Sequence, residues 1–203
     1  MLVNQGHILL PLARAAIGHE LGLATTAPVS DAAWLYMPGS AFVTLTRDGK
    51  LRGRNGTLEA VRPLHDDVAA NAVAAALRDL RFKPLHADEL ESTAIEVTVL
   101  SALETLTVPD ESAAIAALRA GLDGVTFRYG HHHSNFLPEA WIQYADPAEF
   151  LAQLKYKAGL PPDFWDARVE LRRYTVNCWR EPTDQALSGP SIGSIKINKN
   201  NGL

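Results

Sequence analysis

Residues 41–58 read AFVTLTRDGKLRGRNGTL, and this stretch limits the possible folds more than any other. Asp48-Gly49 sits between two short runs and suits a two-residue turn in which both φ angles are positive. In the first run Phe42, Thr44 and Thr46 alternate with Val43, Leu45 and Arg47, which is the period of a strand. A hairpin here rules out an all-parallel sheet. Helix and strand patterns interleave along the rest of the chain, so the expected class is α+β. The second run is less ordinary. LRGRNGT places Arg52, Gly53, Arg54, Asn55 and Gly56 in sequence. Glycine in a strand packs nothing and costs backbone entropy, so a bulge, a tight bend or a ligand against the backbone must account for it.

Before the hairpin, Ile8, Leu12, Ala15, Ala16 and His19 share one face of a predicted helix, with Pro11 in its first turn. Residues 24–40 read as a loop. Asp66 is placed to cap a second helix with an apolar stripe of Ala69, Ala72, Val73, Ala76, Leu77 and Leu80, bounded by Pro84. TAIEVTVLS reads as a strand, and Asp110 to Ala120 as a short helix closed by Gly121. VTFRYG and NFLPEAW read as two strands, or as a strand and an extended loop. Asp146-Pro147-Ala148-Glu149 is a capping box that opens a helix carrying Phe150, Leu151 and Leu154 and ending at Gly159. In RVELRRYTVNCW the apolar phase slips between Leu171 and Tyr174, which suggests a bulge. Residues 183–203 are polar and without period, the pattern of a loosely held tail.

With 203 residues, the chain can form one large domain or two lobes. Its formal net charge of −4 argues against a basic surface sized for nucleic acid. No apolar run is long enough to span a bilayer, and the first residues lack the features of a signal peptide. Cys178 is the one cysteine, so neither a disulfide nor a cysteine metal cluster is expected. A cytoplasmic location is the default expectation. A phosphate loop, a dinucleotide fingerprint and a Ser-His-Asp arrangement in recognisable context are all missing, and no cofactor is implied.

Three segments together resemble the AMMECR domain family, whose bacterial members are called AmmeMemoRadiSam system protein A. They are the stretch from AFVTLTRDGKLRG to ESTAIEVTVL, then GLDGVTFRYG with NFLPEAW, and then FLAQLKYKAGLP. The resemblance covers roughly residues 5–180. It implies a two-lobed α+β domain over residues 1–182, with a larger lobe from both chain ends around an antiparallel sheet and a smaller lobe from the middle. The tail falls outside it. It also implies two partners, a Memo-type protein and a radical S-adenosylmethionine enzyme. The family signature is Leu-Arg-Gly-Cys-Ile-Gly. Leu51, Arg52, Gly53 and Gly56 match it, while Arg54 stands at the cysteine position and Asn55 at the isoleucine position. A thiol mechanism at that position is therefore not open to this chain.

The stretch itself has two readings. It can be a glycine bulge with solvated arginines, or an anion site in which Gly53 and Gly56 expose backbone N–H groups and Arg52 supplies a bidentate fork. Arg52 and Arg54 are expected on the same side of the strand. Arg81, beside Asp79, is a second candidate anion ligand or a partner of Asp79. In GHHHSN, His131 and His133 could share a metal ion only with a third ligand from elsewhere; a histidine-rich surface turn is the plainer reading. Cys178 reads as a packing residue. Glu96 reads as a solvated sheet-face or lobe-interface carboxylate. The leading expectation is a metal-free binding or accessory protein with an oxyanion-accepting cleft lined by Arg52, Arg54 and Asn55. The alternative is an enzyme acting on a small anionic substrate, with Arg52 polarising an oxyanion and Asn55 or a nearby acid moving a proton.

Overall fold

The computed structural model describes residues 5–182. The tail assigned to residues 183–203 lies outside the described residues. Four helices pack with antiparallel sheets, which makes the class α+β. The hairpin forms as its residues dictate. Strand β2 (Ala41–Arg47) and β3 (Lys50–Gly56) join through Asp48 at φ 52° and Gly49 at φ 71°, both left-handed as a two-residue turn requires. Strand β5 (Thr93–Leu100) pairs with the other side of β2, and β10 (Val176–Arg180) completes the order β10-β5-β2-β3. Val43, Leu45, Ile95 and Val97 point to one face, where α1 (Gly6–Glu20) and α2 (Leu64–Leu77) bury them.

Each helix buries part of its expected face, Leu12 and Ala15 in α1 and Ala72 and Ala76 in α2, and turns away from the rest. In α1 the buried positions include Leu9, Leu12, Ala13 and Ile17, while His19 is exposed and Pro11 lies well inside the helix rather than in its first turn. In α2 the buried stripe is Leu64, Asp67, Val68, Asn71, Ala72, Ala75 and Ala76. Leu80 lies beyond the end of α2 and is fully exposed, and Asp66 sits in the first turn rather than at the cap, which is Pro63. A short ladder, β1 (Pro38–Gly39) with β4 (Arg62–Pro63), leads into α2.

A second core forms from the middle of the chain. Here β6 (Glu104–Leu106), β9 (Glu170–Tyr174), β7 (Gly124–Tyr129) and β8 (His132–Phe136) make the sheet β6-β9-β7-β8. Helices α3 (Glu111–Ala117) and α4 (Pro147–Lys157) cover it. Asp110 caps α3 through the Ala113 N–H at 2.8 Å, and Asp146 caps α4 through the N–H groups of Ala148 and Glu149. Trp141 stacks on Phe150 with ring centroids 3.8 Å apart. Lys155 is fully buried and bonded to Glu111 at 2.5 Å. The phase slip after Leu171 is not a bulge. At Thr175 the chain leaves one sheet and enters the other, so the two ends of RVELRRYTVNCW belong to different cores.

Candidate functional site

Gly53 and Gly56 have structural reasons to be glycine. A Cβ on Gly53 would lie 2.1 Å from the carbonyl oxygen of Ala75, so the strand is pressed directly against α2. A Cβ on Gly56 would lie 2.2 Å from the Phe42 ring, which covers this position from the paired strand. Neither glycine opens the backbone to a ligand. The register of β2 and β3 also slips: Leu45 faces Gly53 but Thr46 faces Leu51, which leaves Arg52 as the extra residue of a bulge.

That bulge separates the two arginines. Arg52 turns to the carboxylate of Glu89, with Nη2 2.9 Å from Oε2 and Nε 3.3 Å from Oε1, and its Nη1 donates to the Lys83 carbonyl at 2.9 Å. Arg47 donates to Glu89 as well, at 2.6 Å. These bonds, Arg52's first, lower the Glu89 pKa to about 2. The fork expected to polarise a substrate is thus filled by a carboxylate of the chain itself. Arg54 points elsewhere, over the Phe42 ring at 5.6 Å, with Nη1 3.6 Å from Glu139. Its Nη2 is buried and has no hydrogen-bond partner. Asn55 alternates to the face that Gly53 shares, toward α2 and away from Arg54. The expected row of Arg52, Arg54 and Asn55 around one cleft is therefore not brought together.

Arg81 is held by Asp79 through Nε at 2.9 Å and Nη2 at 2.6 Å, and the same carboxylate accepts the backbone N–H of Arg54 at 2.9 Å. The Arg81 bond keeps Asp79 well below the usual carboxylate range. Asp79 thus ties the chain just past α2 to β3, and Arg81 is its counter-ion. His131 lies in the turn after Gly130, and His132 and His133 begin β8. Among the described residues, no three His, Cys, Asp or Glu side chains come together as a metal site. Cys178 is exposed rather than packed, and partial desolvation on its strand pushes the thiol pKa up, which makes it a poorer nucleophile.

One open cleft lies next to the stretch. A cleft of about 470 Å³ separates the loop Thr57–Val61 from the outer face of the second sheet. Strand pairing sets that face in two rows: His133, Arg128 and Glu170, then Asn135, Thr126 and Arg172. Arg172 reaches across the cleft to Glu59 at 3.7 Å. The loop wall is fixed from beneath by Asp67, which is fully buried. Its carboxylate accepts from the Ala41 N–H at 2.8 Å, the Thr57 hydroxyl at 2.6 Å, Arg62 Nε at 2.8 Å and Asn71 Nδ2 at 2.9 Å. Arg54 is not one of the residues that line this cleft. It acts electrostatically on Tyr174 and Lys157, and Lys157 donates to the Asn135 carbonyl at 2.8 Å. Burial raises the Tyr174 pKa above the usual phenol range.

Arg128, Glu170, Arg172 and Asp67 were not singled out from the sequence. For Asp67 a signal was present: Asp67 and Asn71 fall on the stripe of Leu64, Val68 and Ala75, and a polar pair on an apolar stripe marks a buried network.

The AMMECR1 family model matches residues 10–179. This chain belongs to the AMMECR1 family. It is 38% identical over 206 residues to Protein SSO0193 of Saccharolobus solfataricus, covering 96% of this chain and 91% of that one. It is 36% identical over 211 residues to Protein LS215_2104 of Saccharolobus islandicus, with the same coverage. The crystal structure of uncharacterized protein PH0010 from Pyrococcus horikoshii superposes with a TM-score of 0.78 at 31% identity, over 89% of this chain and 93% of that one. Among the described residues no helix is long and apolar enough to cross a membrane.

Proposed function

We propose that this AMMECR1-family chain is a binding component rather than a self-sufficient enzyme, and that it accepts a small oxyanion at Arg54 where the two lobes meet. One observation carries this reading: Arg54 Nη2 is buried without an acceptor. An unsatisfied buried donor costs about 1–3 kcal/mol, and more when charged. Arginine cannot relieve that cost by losing its proton. An anion oxygen relieves it. Glu139 is a loose placeholder, 3.6 Å from Nη1 and 57% exposed, free to swing into water when an anion arrives. Arg52 is the wrong cation for this role, because Glu89 already neutralises it.

Family membership supports the further proposal that the protein works with a Memo-type protein and a radical S-adenosylmethionine enzyme, which supply chemistry while this chain supplies recognition. Calorimetric titration with inorganic phosphate and with malonate at low salt tests the anion seat. Wild type is expected to bind in the millimolar range and Arg54→Ala to show no heat beyond dilution, while Arg52→Ala keeps the binding despite lower stability. Equal heats for wild type and Arg54→Ala overturn the reading.

A further inference from the structure

The cleft between the lobes offers a second and chemically different seat. We infer that it binds a small carboxylic acid that carries a hydrogen-bond donor on an apolar body. The inference uses none of the groups that form the Arg54 seat and stands whether or not that seat binds an anion.

Size is the first constraint. The cleft encloses about 470 Å³, within the range of ~300–1,000 Å³ typical of small-molecule sites. Leu58, Val61 and Leu103 supply apolar wall, and Val61 is 76% exposed with nothing of this chain covering it among the described residues. An apolar body belongs there.

Charge is the second. Of the four charged side chains lining the cleft, Arg172 and Glu59 face each other at 3.7 Å and offset one another. Arg128 and Glu170 remain. They are cross-strand partners, yet among the described residues neither makes an ion pair within 4.0 Å. Arg128 is thus a free guanidinium at the edge of an apolar cleft, and its planar fork matches a carboxylate in two parallel bonds. Glu170 beside it competes for the same fork.

The third constraint is the proton on His133, which pairs with Arg128 on the next strand. Its Nδ1 lies 3.2 Å from the His131 carbonyl oxygen. A carbonyl can only accept, so Nδ1 carries the proton, and a ring with that single proton presents Nε2 as a lone pair. A ligand is therefore asked for a carboxylate at Arg128 and a donor at His133, on paired positions of adjacent strands.

The probe that meets these demands is 4-hydroxyphenylacetate, titrated into the full-length ¹⁵N-labelled protein and followed by amide shifts. Shifts are expected to concentrate in the Thr57–Val61 loop and in β7, β8 and β9. Phenylacetate lacks the donor and 4-hydroxyphenylacetamide lacks the charge; each is expected to bind about tenfold more weakly. Arg128→Gln should also lose about tenfold, whereas Glu170→Gln should bind the probe more tightly because the competing carboxylate is gone. The ligand series on wild type tests the inference even if a variant folds poorly. Three results overturn it: no cleft shifts at millimolar probe, equal affinity in Arg128→Gln, or tighter binding of tyramine, which would assign the cleft to a cation at Glu170.

Discussion

Arg52 and Arg54 stand two positions apart and do unrelated work, because a single extra residue in β3 turns one toward Glu89 and leaves the other over Phe42. The Arg52 side chain is 15% exposed and that of Glu89 17%, so removing the arginine strands a carboxylate with little water. Arg52→Ala should destabilise the fold by about 1–3 kcal/mol, read as a lower denaturant midpoint at unchanged slope. Acid dependence should change as well. Glu89 titrates at about 2 in the fold against an ordinary 4.5, chiefly through the Arg52 bond. A lowered pKa means that the folded chain binds fewer protons, so this contribution is complete above about pH 4.5 and fades as pH falls toward 2. In Arg52→Ala that loss should shrink to what Arg47 and the His86 N–H still hold. An identical acid profile in both proteins would show that Arg52 does not set the Glu89 titration. The residues Asp48-Gly49 announced their turn because a turn is decided locally. The bulge did not announce itself, since it depends on register against β2 and on a carboxylate 37 positions away.

At the scale of elements, the approach of β3 to α2 explains both the glycine and the alanines. Because a Cβ on Gly53 would lie 2.1 Å from the Ala75 carbonyl oxygen, Gly53→Ala must move backbone rather than a side chain, at a cost of about 3 kcal/mol. Ala76 is 2% exposed on the same helix, and Ala76→Leu should cost about 1–3 kcal/mol by overpacking. Urea melts of the two variants check the ranking; a Gly53→Ala protein as stable as wild type would mean that strand and helix can part cheaply. Small residues in α2 were legible in the sequence, but of the expected stripe only Ala72 and Ala76 lie on the buried face. Alanine on every side makes the apolar pattern nearly featureless, and Asp67 with Asn71, the two residues that fix the true phase, are polar and were passed over. The apolar slip after Leu171 was also legible. Its cause was not, because a change of sheets at Thr175 and a bulge disturb the alternation in the same way.

The described residues form two apolar cores with no member in common, one under α1 and α2 and one under α3 and α4. The backbone passes between them twice, through residues 101–103 and through Thr175. These crossings are zipped together by the Ser101 N–H to the Thr175 carbonyl at 2.9 Å and by the Thr175 N–H to the Ser101 hydroxyl at 3.0 Å. Across the seam, Arg54 reaches Glu139 at 3.6 Å and Arg172 reaches Glu59 at 3.7 Å, both long and partly exposed. Exposed ion pairs of this kind contribute about 0–1 kcal/mol each, too little to make two packed cores melt as one. The cores should therefore lose structure separately. Phe150→Ala removes a fully buried ring that stacks on Trp141 and meets Phe136 edge-on, a loss of about 3–5 kcal/mol. Native-state hydrogen exchange on that variant should show amides of β7, β8 and α4 exchanging faster by about two to four orders of magnitude, while those of β2, β5 and α2 keep wild-type protection. The same acceleration in both halves would mean that the seam transmits stability after all, and that the cleft it borders is walled by one cooperative unit rather than two.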